Sequence, residues 1–155
     1  GVVHRDVKPS NALFDLVTRR AALSDFGVAR APDAQASRSG VLIGSPVYMA
    51  PELLAGQSAS ASSDLYALAV LSYELLAGRA PFAAASMGAL LRAVAQAAPP
   101  PLATLRPDLP EAVAARLDRW LAPLLAKAPS RRPADGEVWA EGEHAVAREL
   151  GIGPS

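Results

Sequence analysis

The sequence predicts an α+β fold, mainly helical, with a few short strands gathered at its N-terminal end. Three observations lead there. The chain has 155 residues, the size of one domain or a piece of one. Before residue 50, short β-like runs alternate with polar turns. After it, apolar residues recur at helical spacing, punctuated by capping residues and prolines.

Taken in order, Gly1 to Val3, Ala12 to Phe14 and Ala21 to Leu23 read as strands. Residues 31–46, APDAQASRSGVLIGSP, carry neither period and read as a loop. Asp64 to Ala77 is apolar nearly all round, the pattern of a buried central helix, and Gly78 is its natural stop. Ser86 caps a helix carrying Leu90, Leu91, Val94 and Ala98, which Pro99, Pro100 and Pro101 end. Asp108 and Pro110 open another, with Val113, Leu117, Trp120 or Leu121, and Leu124 on one face. A last helix, Asp135 to Leu150, is weaker, because Gly136 and Gly142 each cost about 1 kcal/mol against alanine.

Composition narrows the function. Fifteen basic and fifteen acidic residues give zero formal net charge, which argues against nucleic acid or an anionic membrane surface as partner. There is no cysteine, so disulfides, thiolate metal sites and a cysteine nucleophile are excluded. His4 and His144 are too few and too far apart for a histidine-rich metal site. The longest apolar stretch, Leu65 to Ala77, contains Ser72 and Glu74 and is too short to span a bilayer. No signal-peptide layout opens the chain, and the expected location is the cytoplasm. Hydrophobic residues make up 51% of the chain, but 34 of them are alanine, so Leu and Val must build most of the core.

Four groups stand in order: His4-Arg5-Asp6 with Lys8 and Asn11; Asp25-Phe26-Gly27; Gly44-Ser45-Pro46-Val47-Tyr48; and Ala50-Pro51-Glu52. Asp6, Lys8 and Asn11 lie on one turn after a short apolar run, and Asp25 follows the next. Two carboxylates and an amide oxygen suit Mg²⁺, a hard ion that usually keeps substrate phosphates among its ligands. A lysine offsets phosphate charge as a point cation. Metal, cation and a carboxylate that orients the attacking hydroxyl are the parts of phosphoryl transfer.

The string HRDVKPSN, followed by DFG and APE, closely resembles the catalytic lobe of a eukaryotic-like Ser/Thr protein kinase. SDLYALAVLSYELLAGRAPF and KAPSRRP resemble its bacterial branch. The resemblance covers Gly1 to about Leu150 and implies ATP and Mg²⁺ as cofactors and protein Ser/Thr hydroxyls as acceptors. It implies that Asp6 orients the substrate hydroxyl, Lys8 contacts the γ-phosphate, and Asn11 and Asp25 hold Mg²⁺. By the same resemblance Arg5 docks a phosphate on the following loop, with Ser37 and Ser39 as candidate regulatory sites and Ser45 packing near Lys8. Phe26 and His4 would stack, Gly27 would complete the metal loop, and Asp64 would anchor the catalytic-loop backbone. Leu13, over Leu71 and Leu75, would floor the adenine, and Glu52 and Arg132 would form a buried pair.

The implied organisation is a kinase C-terminal lobe over residues 1–150, with a tail at 151–155. Within it lie a catalytic loop (4–11), a metal loop (25–27), an activation segment (25–52) and a helical subdomain (62–150). No GxGxxG occurs, and the only other lysine, Lys127, is near the far end. The resemblance therefore implies an N-terminal lobe upstream and an inactive isolated chain. It also implies an apolar patch where the Leu65 to Ala77 helix lacks its usual neighbour. The alternatives are a non-catalytic kinase-like binding or regulatory module and a small-molecule kinase, which the long loop ending at Ala50-Pro51-Glu52 fits poorly.

Overall fold

A computed structural model describes residues 3–18, 20–25 and 46–149; Phe26, Gly27, Ser37, Ser39 and Ser45 lie outside the described residues. A 3₁₀ turn, Pro9–Asn11, leads into β1 (Ala12–Asp15), which pairs antiparallel with β2 (Arg20–Leu23), Ala12 opposite Leu23 and Asp15 opposite Arg20. The Asp15 carboxylate accepts from Val17 N at 2.8 Å and Thr18 N at 3.1 Å, so one side chain organises the turn between the strands. The expected strand at Gly1 to Val3 does not extend to Val3. Among the described residues only β1 and β2 pair, and a strand without a neighbour leaves its ladder groups open.

Helices form the rest. After α1 (Pro51–Leu54) comes α2 (Ala61–Ala77), three residues earlier than the apolar pattern suggests. The reason is local: Ser60 and Ser63 form a reciprocal capping box, and Asp64 is left in the first turn. Gly78 ends α2 at φ 74°, a left-handed conformation that suits glycine. Then follow α3 (Met87–Gln96), capped by Ser86, α4 (Leu102–Leu105), α5 (Glu111–Leu124) and α6 (Glu137–Glu149).

α2 runs through the core. Tyr66, Ala69, Val70 and Tyr73 pack with Val94 of α3, Leu102 of α4, and Leu117, Leu121 and Leu124 of α5. Burying each of these leucines contributes roughly 1.5–3 kcal/mol. Two long-range hydrogen bonds pin the proline run to this core. Tyr73 donates to Pro100 O at 2.7 Å, and Leu102 N donates to the Asp118 carboxylate at 3.0 and 3.2 Å. Asp118 thus caps α4 from α5, because Pro101, at the cap position, offers no side-chain acceptor.

Gly142 has a packing reason. A Cβ there would lie 2.0 Å from Trp120 Cδ1, so the indole of α5 rests on bare backbone of α6. α2 is better covered than expected: of its large apolar side chains only Leu75, at 77%, is exposed. The hairpin carries the exposure instead, at Leu13, Phe14, Leu16 and Val17. A groove of about 230 Å³ does run along α2, lined by Val7, Leu23, Leu65 and Leu68 with His4 and Asp64.

Candidate active site

A smaller cluster seats the site on α2: Val7 buries against Ala67 and Leu71, with Ala12, Leu23 and Tyr48 around them. Above it, Asp64 receives two backbone donors, His4 N at 2.6 Å and Arg5 N at 2.9 Å. Arg5 sits at φ 73°, a left-handed conformation costing a non-glycine residue of order 1–3 kcal/mol. The charge-assisted bonds to Asp64 offset that cost and turn the chain so that Asp6 faces outward.

The Asp6 carboxylate is held on one side only. Its Oδ2 accepts from Lys8 Nζ at 2.7 Å and from Asn11 Nδ2 at 3.0 Å. Among the described residues its Oδ1 has no partner, and the side chain is 52% exposed. Asn11 is buried, and its Nδ2 also donates to Asp6 O at 2.8 Å. With both amide protons committed to Asp6, the Asn11 Oδ1 is the end left for a cation.

Asp25 follows β2 at φ 57°, the second non-glycine residue in the left-handed region. Ser24 joins it to the loop: Ser24 N donates to Asn11 O at 2.8 Å, and Ser24 O accepts from His4 Nε2 at 2.9 Å. Ser24 Oγ lies 3.5 Å from Asp25 Oδ2, the limit of a hydrogen bond. An exposed carboxylate and a fixed amide oxygen on adjoining strand ends fit Mg²⁺, which takes few protein ligands and keeps waters or phosphate oxygens. Among the described residues no group of three or more His, Cys, Asp or Glu could hold a metal, so no denser metal cage competes.

A cavity of about 60 Å³ lies between this loop and the 3₁₀ turn Pro46–Tyr48, lined by Arg5, Asp6 and Lys8 on one wall and Tyr48, Met49 and Leu53 on another. The Tyr48 hydroxyl donates to the Glu74 carboxylate of α2. Burial, and then the hydrogen bond to Glu74 and its charge, raise the pKa of that phenol above its ordinary range. Neither Ser24 nor the Tyr48–Glu74 bond is visible in sequence spacing; each spans a contact that only folding makes.

Glu52 and Arg132, 80 residues apart, form a bidentate pair at 2.6 and 2.7 Å with both side chains buried. Arg132 also donates to Ala126 O, Ser62 O and Lys127 O, at 2.8, 3.1 and 3.2 Å, and lies over the Tyr66 ring. Arg131 beside it is exposed. Leu71 is buried with Val7, whereas Leu13 and Leu75 remain 58% and 77% exposed.

The family model of the protein kinase domain matches residues 1–142. The chain belongs to the protein kinase domain family. It is 39% identical over 162 residues to the serine/threonine-protein kinase PkaB of Streptomyces coelicolor, covering 99% of this chain and 37% of that protein. It is 40% identical over 147 residues to PknA of Mycobacterium tuberculosis, covering 94% of this chain and 32% of that one. With Pkn1 of Myxococcus xanthus it shares 40% identity over 139 residues, 85% of this chain and 19% of that one. This kinase chain thus spans well under half the length of these relatives. Its α+β build, a two-stranded sheet beside a helical body, is that of a bacterial Ser/Thr-type kinase segment.

Proposed function

We propose that this lobe carries the phosphoryl-transfer residues of a Ser/Thr protein kinase, moving phosphate from ATP to protein hydroxyls in the full-length protein. The observation that carries the reading is the asymmetry of Asp6: Lys8 and Asn11 hold one carboxylate oxygen, the other has no partner among the described residues, and Asp6 lines a cavity. An open carboxylate oxygen orients a hydroxyl and accepts its proton as the phosphoryl group arrives. Lys8, already beside Asp6, supplies positive charge where the transferring phosphate comes close. Asn11 Oδ1 and Asp25 would hold Mg²⁺, which neutralises phosphate charge when bound. Asp64 fixes the backbone that presents Asp6, and Glu52 with Arg132 anchors α1 behind the cavity wall.

By the resemblance to Ser/Thr kinases, Lys8, two residues after Asp6, favours Ser/Thr over Tyr acceptors. The serine/threonine-kinase names of the relatives support the same class. The 155 residues contain no glycine-rich phosphate loop, so the reading assigns transfer to the full-length protein. The test is Asp6→Asn in that protein, with radiolabelled ATP and a generic Ser/Thr substrate. Transfer should fall by about 10²–10⁴-fold with an unchanged unfolding midpoint. Unchanged transfer sinks the assignment and favours the binding-module reading, in which partner binding alone matters.

A further inference from the structure

We propose that Lys127 is a positioning residue: its ammonium ties the C-terminal turn of α3 to the Phe82 ring and, through α3, holds the cavity wall made by Tyr48 and Leu53. The inference rests on the phosphoryl-transfer reading for its kinetic consequences, but not for its geometry. Lys127 Nζ donates to Val94 O at 2.6 Å and lies 3.8 Å from the centre of the Phe82 ring. Phe82 and Val94 are both buried. α3 carries no basic residue in its own last turn, and Ala97 leaves it with extended backbone at ψ 145°. The final carbonyls of such a helix need donors from elsewhere. An ammonium from 33 residues away meets that need at Val94 and sits at the negative end of the helix dipole. The same charge lies against the ring of a residue that precedes α3. One side chain thus grips the end of α3 and the segment that leads into it.

What α3 touches gives the clamp its reach. Phe82, Leu90 and Val94 belong to the main core cluster, and Val47, Tyr48, Leu53 and Leu54 pack against that cluster. α3 itself packs on α1 and on the turn Pro46–Tyr48. Tyr48 and Leu53 then line the cavity together with Arg5, Asp6 and Lys8. A shift of α3 would therefore reach the wall beside Asp6, while Asp6, Lys8 and Asn11 keep their own mutual contacts. Packing alone does not call for a cation at this place. Burial, and then the Arg132 charge, disfavour the ammonium there. Methionine would fill a similar space without that cost.

The test is Lys127→Met and Lys127→Arg in the full-length protein, read by steady-state kinetics in both substrates and by amide hydrogen exchange. In Lys127→Met the KM for the generic Ser/Thr substrate should rise about 2–30-fold, the span that loss of a partly buried cation–π contact represents. kcat and the KM for ATP should stay within about twofold of wild type. A mere loss of stability would instead lower kcat through the active fraction and leave KM alone. Amides of residues 93–97 should exchange faster than in wild type, with those of α2 unchanged. Arginine keeps a cation for the ring and a donor for Val94 O, so Lys127→Arg should stay near wild type in both readouts. If the Met variant does not fold, Lys127→Gln, which keeps a donor without the charge, replaces it in both measurements. Unchanged exchange at the end of α3 overturns the clamp. Faster exchange with unchanged KM, or an Arg variant as impaired as Met, overturns the positioning role. If full-length wild type transfers no phosphate, the proposed function falls, and hydrogen exchange still decides the clamp.

Discussion

Two buried side chains near each other make opposite demands. Arg132 and Glu52 satisfy one another in a bidentate pair, and three carbonyls take the remaining guanidinium donors. Removing one partner leaves a charge without compensation. Glu52→Ala should therefore destabilise by about 3–5 kcal/mol, read as a drop in the chemical-denaturation midpoint with the slope unchanged. Under the same guanidinium, Tyr66 is fully buried and its hydroxyl has no hydrogen-bond partner among the described residues. An orphaned buried hydroxyl costs about 1–3 kcal/mol, while the ring itself packs in the core. Tyr66→Phe should leave the midpoint unchanged or raise it. A clear fall would mean that the hydroxyl has a partner that the protein atoms do not supply.

Among the elements, α5 and α6 show how packing overrules propensity. Glycine inside α6 is unfavourable for an isolated helix, and Gly142→Ala would gain about 1 kcal/mol on that account. In this fold the added methyl would meet the Trp120 indole at 2.0 Å from Cδ1 and 2.1 Å from Nε1. Overpacking of that kind costs about 1–3 kcal/mol and should win. Gly142→Ala is expected to lower the thermal midpoint in wild type but to raise it in a Trp120→Ala background. The reversal of sign is the decisive readout, since two independent effects would simply add. α4 makes the converse point: four residues are too few to stand alone, and an Asp118 side chain from α5 caps them.

For the whole molecule, Lys127 links pH to stability. Its ammonium lies 3.8 Å from the centre of the Phe82 ring and donates to Val94 O at 2.6 Å. Among the described residues it has no carboxylate partner. Burial, and after it the Arg132 charge, lower its pKa from 10.5 to about 8. The folded state therefore binds this proton less tightly than the unfolded chain does. The Lys127 contribution is least favourable below pH 8, improves from pH 8 to about 10.5, and levels off above. In denaturation at stepped pH, wild type should gain stability over that window relative to Lys127→Met. Parallel profiles for the two proteins would exclude the link.

How much of this was legible beforehand follows from which interactions are local. The chain order of Asp6, Lys8, Asn11 and Asp25, the caps at Ser86 and Gly78, and the apolar run of α2 can all be read along the sequence. Their causes are short-range: turn chemistry, capping and periodicity act within a few residues. The family resemblance was legible for the same reason, because its motifs are short strings at set intervals. The early start of α2 was missed because Ser60 and Ser63 cap it outside the apolar pattern. Of the expected Gly1 to Val3 strand only Val3 lies among the described residues, and it is not in a strand. Tertiary structure alone decided that Ser24 joins two loops, that Tyr48 reaches Glu74, and that Gly142 carries Trp120. Each of these depends on groups distant in sequence meeting within a few ångströms. Local sequence chemistry determined the elements and the set of reactive groups; long-range packing determined which of those groups face one another.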